Sequence, residues 1–274
     1  MQTCRSGQWQ PPLPGTLRCQ HVADAAHIAE LVRIAAQLLD LVPQAHHHGL
    51  DVAAVRLPSA RQAGDPPLQV VHAPGERFDI VVDFSAFPIG TQIVLQNDVA
   101  QTSGRGPSGT LATPIQLMRF DVDRDATDPS QVPATLRPLP PIPTPTVTRN
   151  WNFQNAGGAW TVNGNLFNLN RVDATVRRGT VEQWNLNSFG NWSHPIHIHL
   201  DQFRVLARGN AALQAVERGR KDTVQLGQFI GGIGVPTSAS VVIHFRDMLG
   251  KYMMHCHNTV HEDHAMMVRF DVVP

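Results

Sequence analysis

Seven of the chain's 14 histidines fall in two short runs, "HPIHIHL" with His194, His197 and His199, and "HCHNTVHEDH" with His255, His257, His261 and His264. The second run is built around Cys256 and is followed by Met266 and Met267. Neutral imidazole is a common metal ligand and thiolate a soft one, so runs of this composition point to metal chemistry. An isolated histidine carries much less meaning, and His21, His27, His72 and His244 read as surface or hydrogen-bonded residues. In "SVVIHFRD", for example, Val241, Ile243 and Phe245 form the apolar side, so His244 is expected to face solvent.

If both runs are strands, alternate side chains face opposite ways. His197 and His199 then share a face, as do His255 and His257, while His194 and Cys256 point to the other side. One surface collects four imidazoles and the other collects His194 with the thiol. His261 lies five residues beyond Cys256 and Met266 five beyond that, far enough for a loop to return both to one ion. Met266 also shares parity with Val268 and Phe270 in "MMVRFDVV", which predicts that it points into the core. Two imidazoles, a thiolate and a weakly held thioether make the trigonal set with an axial methionine that blue copper uses. Zinc is the rival, but structural zinc brings paired cysteines, and Cys4 and Cys19 are far from Cys256 in the sequence.

Such ligands need a rigid frame, and the surrounding pattern is that of short strands. "TVEQWNL", "QFRVLAR", "SVVIHFRD" and "MMVRFDVV" are separated by Gly, Asn and Pro turns, so residues 146–274 read as a complete β-sandwich domain. In "ERFDIVVDF", Phe78, Ile80, Val82 and Phe84 share one parity, and with "TQIVLQND" they make residues 68–125 part of another sandwich. Residues 126–145 read as a linker: seven prolines between Pro129 and Pro145 favour extended geometry over sheet pairing. Residues 1–67 differ. Ile28, Leu31, Val32, Ala35, Leu38, Leu39 and Val42 recur at helical spacing up to Pro43, and the segment shows little strand or turn logic. It is expected to be helical, or to reflect a coding-frame change or a truncated gene upstream of residue 68.

Composition narrows the partners. Lys+Arg and Asp+Glu both total 22, with no basic run, which argues against nucleic acid or an anionic membrane as partner. No apolar run reaches the length of a membrane span, and "MQTCRSGQWQPPLPG" lacks the apolar core of a secretory signal, so no compartment is indicated. Three cysteines are too few for a disulfide framework.

"HPIHIHLDQF" together with "HCHNTVHEDHAMM" closely resembles the C-terminal copper motifs of the multicopper oxidases, in particular the bacterial and spore-coat laccases. The resemblance runs from about Leu68 to Pro274: "HAPGERFDIVVDFS" is similar to the family's middle domain, and "GRKDTVQL" with "FRDMLGKYMMHCH" to its third. It implies an all-β fold of cupredoxin-like Greek-key sandwiches. It also implies copper, with His194, Cys256, His261 and Met266 as type 1 ligands, His197 at the type 2 copper, and His199, His255 and His257 at the type 3 pair. Electrons from a phenolic or metal-ion reductant would enter near His261, pass through Cys256 to His255 and His257, and reduce dioxygen to water. Glu262 is expected to donate protons, since oxygen reduction consumes them, and Asp201 and Asp222 are candidates to orient imidazoles.

The family's trinuclear cluster takes eight histidines, and four are matched here. His46, His48 and Gly49 in "AHHHGL" imitate one of the missing H-x-H-G motifs, but no second pair follows, so the match reads as coincidence. The implied protein is therefore a laccase-type oxidase with a complete type 1 site and half of its oxygen site. Two alternatives stand beside it: a type 1 electron-transfer module, and an oligomer sharing the cluster between chains. A missing N-terminal domain or a second chain is the expected partner.

Overall fold

The computed structural model describes residues 16–22, 30–32, 53–57, 68–78, 80–100, 105, 108–129, 138–214, 217–227 and 236–274. Before the proline-rich stretch lie β1 (Thr16–Val22), β2 (Glu30–Val32), β3 (Ala53–Leu57), β4 (Leu68–His72), β5 (Ile80–Val82), β6 (Gln92–Ala100) and β7 (Gly109–Ala126). After it come β8 (Val147–Ala156), β9 (Ala159–Val162), β10 (Ala174–Arg177), β11 (Val181–Ser188), β12 (His194–Ile198) and β13 (Phe203–Ala207). β14 (Arg220–Lys221), β15 (Thr223–Leu226), β16 (Ser238–His244), β17 (Gly250–Cys256) and β18 (Met267–Val273) complete the set, with one short helix, α1 (Thr259–Asp263), between the last two.

The strands after residue 146 form two sheets, ordered β10-β18-β17-β12-β15 and β14-β13-β16-β11-β8-β9. Alternation in the sequence is what makes them a sandwich. Along β18, Val268, Phe270 and Val272 turn inward while Arg269 and Asp271 pair on the outer face at 2.6 Å. At the centre of the core Trp184 packs against Trp151, Phe245 and Phe270, with ring centroids 5.3–5.8 Å apart. Its indole N–H donates to Glu182 Oε2 at 2.8 Å, and Arg149 grips the same carboxylate, so the Trp184 N–H and the Glu182 carboxylate are both paired.

The earlier strands make a sheet ordered β1-β7-β6-β3-β4 and a pair β2-β5, with a smaller core of Val82, Phe84, Ile93, Leu95, Phe120 and Val122. This corrects the reading of residues 1–67 as lacking strand logic, since β1 runs parallel to β7 and β3 pairs with both β4 and β6. Glu30–Val32 pairs antiparallel with Ile80–Val82 and is not helical; a tertiary partner has overridden a helical spacing at these three residues. The rest of the expected helix, and His46 to Gly49, lie outside the described residues. Residues 138–145 of the linker carry no strand.

β12 sits between β15 and β17, and its register sets Ile196 opposite Cys256, His197 opposite His255 and Ile198 opposite Met254. The two histidine runs are thereby neighbours in one sheet.

Candidate functional site

β17 presents its two faces to two groups of side chains. Toward the core, Cys256 meets His194 from β12 and His261 from α1, all three buried. Cys256 Sγ lies 3.7 Å from His194 Nδ1 and 3.6 Å from His261 Nδ1, and the two nitrogens are 3.1 Å apart. Bonds of about 2.3 Å to sulfur and about 2.0 Å to nitrogen, opened by about 120°, separate sulfur from each nitrogen by about 3.7 Å and the two nitrogens by about 3.5 Å. The triangle therefore fits one ion. Nothing in the chemistry of the donors opposes it: burial pushes the His194 pKa down to about 3, and burial together with His194 and His264 pushes that of His261 down to about 2. Both rings are neutral ligands at physiological pH.

The return of His261 to Cys256 is built locally. Asn258 caps α1, its side chain accepting from the His261 N–H at 3.4 Å, and its own N–H donates to Cys256 Sγ at 3.4 Å. Ala265, at φ +60°, then turns the chain so that the Met266 N–H donates to the His261 carbonyl (2.9 Å) and the Cys256 N–H to the Met266 carbonyl (3.2 Å). Met266 is fully buried in the core, as its parity predicts. A wall that the sequence does not announce closes the group. Trp160 stacks on the His261 ring with centroids 3.6 Å apart, Trp192 meets both rings edge-on, and the Arg105 guanidinium lies 4.6 Å above Trp192.

The opposite face gathers His197, His199, His255 and His257, with adjacent ring centroids 4.9–5.5 Å apart. His199 Nε2 and His255 Nε2 are 3.1 Å apart, and His197, His199 and His255 can each turn a nitrogen toward a common point. His197 Nδ1 lies 2.9 Å from the Asp222 carbonyl, which only accepts, so this nitrogen carries the proton and Nε2 keeps its lone pair. The buried His257 Nε2 has no hydrogen-bond partner among the described residues, as suits a ligand atom. Burial lowers the pKa of His197 and of His257 to about 4, with neighbouring imidazoles adding to it and Asp222 opposing, and burial lowers His199 and His255 as well.

Glu262 reaches this second group, its Oε1 3.3 Å from His255 Nδ1, and burial beside Asp263 raises its carboxyl pKa. Asp222 approaches His197 through its main chain. Asp201 does not orient an imidazole: it is taken up by Arg246, accepting from its backbone N–H and its guanidinium. His244 is exposed, as expected.

Residues 139–274 match the family described as multicopper oxidase. The chain is 42% identical over 206 residues to the bilirubin oxidase of Albifimbria verrucaria, covering 72% of this chain and 35% of that protein. It is 32% identical over 259 residues to a laccase of Bacillus stratosphericus, covering 82% and 48%. It thus spans about a third to a half of the length of these curated relatives. Its fold is similar to that of the McoA multicopper oxidase of Aquifex aeolicus, with a TM-score of 0.65 and 24% identity over 81% of this chain and 53% of that one.

Proposed function

Residues 139–274 belong to the multicopper oxidase family, and from that premise we propose that this chain is the electron-accepting part of a laccase-type oxidase. Its reductants would be phenolic or similar one-electron donors, or a metal ion, and its acceptor dioxygen. The observation that carries the reading is the division of β17, where Cys256 joins His194 and His261 on one side while His255 and His257 join His197 and His199 on the other. Copper held by these residues would supply one-electron redox chemistry at two linked sites.

The chain's own residues prepare that chemistry. His194, Cys256 and His261 offer a trigonal donor set with Met266 nearby in the chain, and burial keeps both imidazoles unprotonated. The tripeptide His255–Cys256–His257 joins the two groups covalently. Asp222 and Thr223, with Nδ1···Oγ1 at 3.1 Å, hold the His197 ring so that Nε2 faces its neighbours. Glu262, with its raised pKa, can carry a proton beside His255, which suits a general acid in a reaction that consumes protons.

Four imidazoles assemble on the second face among the described residues, which supports a second reading: a type 1 electron-transfer module that passes electrons on without reducing dioxygen itself. Copper content after anaerobic reconstitution and dialysis separates the two. About one tightly held copper per chain, with negligible oxygen uptake in the presence of a phenolic donor, supports the module. About four per chain with sustained uptake supports the complete oxidase, whether within one chain or between chains.

A further inference from the structure

The turn 73–78, between β4 and β5, reaches residues of the histidine-bearing sandwich. Gly75, at φ +77°, lies so close to His257 that a Cβ there would sit 3.2 Å from the ring. Glu76 is buried, its Oε2 accepting from the Ala73 N–H at 3.2 Å and its Oε1 3.1 Å from Lys221 Nζ, which in turn lies over the Phe78 ring at 4.6 Å. Arg77 donates to the Gly75 carbonyl at 2.8 Å and pairs with the Asp222 carboxylate. Asp222 is the residue whose carbonyl accepts from His197 Nδ1.

The order of charges matters. Consecutive Glu76 and Arg77 face consecutive Lys221 and Asp222, negative on positive and then positive on negative. A slip of one residue would set Arg77 against Lys221 or Glu76 against Asp222. The Glu76–Lys221 pair has side chains less than a tenth exposed, and a desolvated pair of this kind adds little net stability while penalising the wrong register heavily.

We propose that the turn 73–78 is a positioning element for the histidine group. By fixing the register of Lys221 and Asp222 it holds the Asp222 carbonyl on His197 Nδ1, and so sets which nitrogen of His197 is free. Through Gly75 it also bounds the ring of His257. These residues act through the imidazoles and touch no reacting atom. The metal arm of the test rests on the reading of the histidines as copper ligands, and the metal-free arm does not.

Arg77→Ala and Arg77→Lys are compared with the parent chain in two measurements. In the metal-free protein, imidazole nitrogen NMR should show His197 as a single Nδ1–H tautomer in the parent, a mixed tautomer in Arg77→Ala, and a largely restored one in Arg77→Lys. In a Cys256→Ser background, where the thiolate is gone, Cu(II) affinity at the histidine group should fall about 10- to 100-fold in Arg77→Ala, the range for loss of a group that orients a ligand. With Cys256 present, the blue absorption per chain should stay unchanged in Arg77→Ala. An unaltered His197 tautomer overturns the proposal, as does loss of blue absorption in step with the weakened Cu(II) binding, which marks general loosening. A parent chain that binds no Cu(II) at the histidines, with the tautomer effect intact, defeats the copper reading and leaves the positioning role standing. Equal Cu(II) affinity in parent and variant does the reverse. Should Arg77→Ala not fold, Arg77→Gln is read by the same measurements.

Discussion

Taking the metal-free protein from pH 7 to pH 5 is expected to cost the His194–Cys256–His261 sandwich about 4 kcal/mol of stability through two imidazoles alone. His194 and His261 are held neutral in the fold, with pKa values lowered from 6.5 to about 3 and about 2 by burial. In the unfolded chain the same rings take up protons near pH 6.5. Between that value and about pH 3 the unfolded state therefore binds more protons, so stability is complete above the window and falls as the pH falls through it. Integrating one unfolded-state imidazole from pH 7 to pH 5 gives roughly 1.9 kcal/mol, and the result depends little on how far below 5 the folded value lies. Urea unfolding followed by tryptophan fluorescence reads this directly, since Trp151, Trp160, Trp184 and Trp192 all lie in this sandwich. His261→Asn removes one titrating ring and should lessen the loss between the two pH values by roughly 1.9 kcal/mol, whatever it does to the baseline. Saturating copper competes with protons for the same nitrogens and should also reduce it. Equal stability at both pH values, or an undiminished pH dependence in His261→Asn, would refute the reasoning.

Asn258→Ala removes the cap on the His261 N–H and should cost about 1 kcal/mol while shifting the blue absorption band, because the loop that shapes the Cys256 environment loosens. Unfolding and absorption spectra on the same samples test both. Glu182→Ala strands the partly buried Arg149 and the Trp184 indole N–H, and should destabilise the domain by about 3 kcal/mol with the blue spectrum unchanged at low temperature. Glu262→Gln should keep the blue absorption and slow oxygen uptake in any assembly of this chain that reduces dioxygen, as measured with an oxygen electrode.

Strand parity made the two faces of β17 readable in advance, because a period of two allows no other placement of Cys256 relative to His255 and His257. That β12 pairs directly with β17 came from the fold, which sets His197 opposite His255. What parity could not supply was contact between distant segments. Trp160 and Trp192 read as ordinary core aromatics in the sequence, yet they enclose His261. Glu76 and Arg77 meet Lys221 and Asp222 across 145 residues, and a mixed-sign dipeptide carries no local signal of its partner. Asp201 and Asp222 look equivalent as sequence, and only the fold gives one to Arg246 and the other to His197. Before residue 68, a helical spacing was a poor guide at Glu30–Val32 because an edge on β5 was available to pair with it.

Cys256 would serve one copper site and its two neighbours, His255 and His257, another. Optical and electron paramagnetic resonance spectra of copper-loaded Cys256→Ser and His197→Ala test it most directly. Cys256→Ser is expected to abolish the intense blue thiolate-to-copper absorption, whereas His197→Ala keeps it and loses only the signal of copper at the histidine group. Equal loss of the blue absorption in both variants would contradict it.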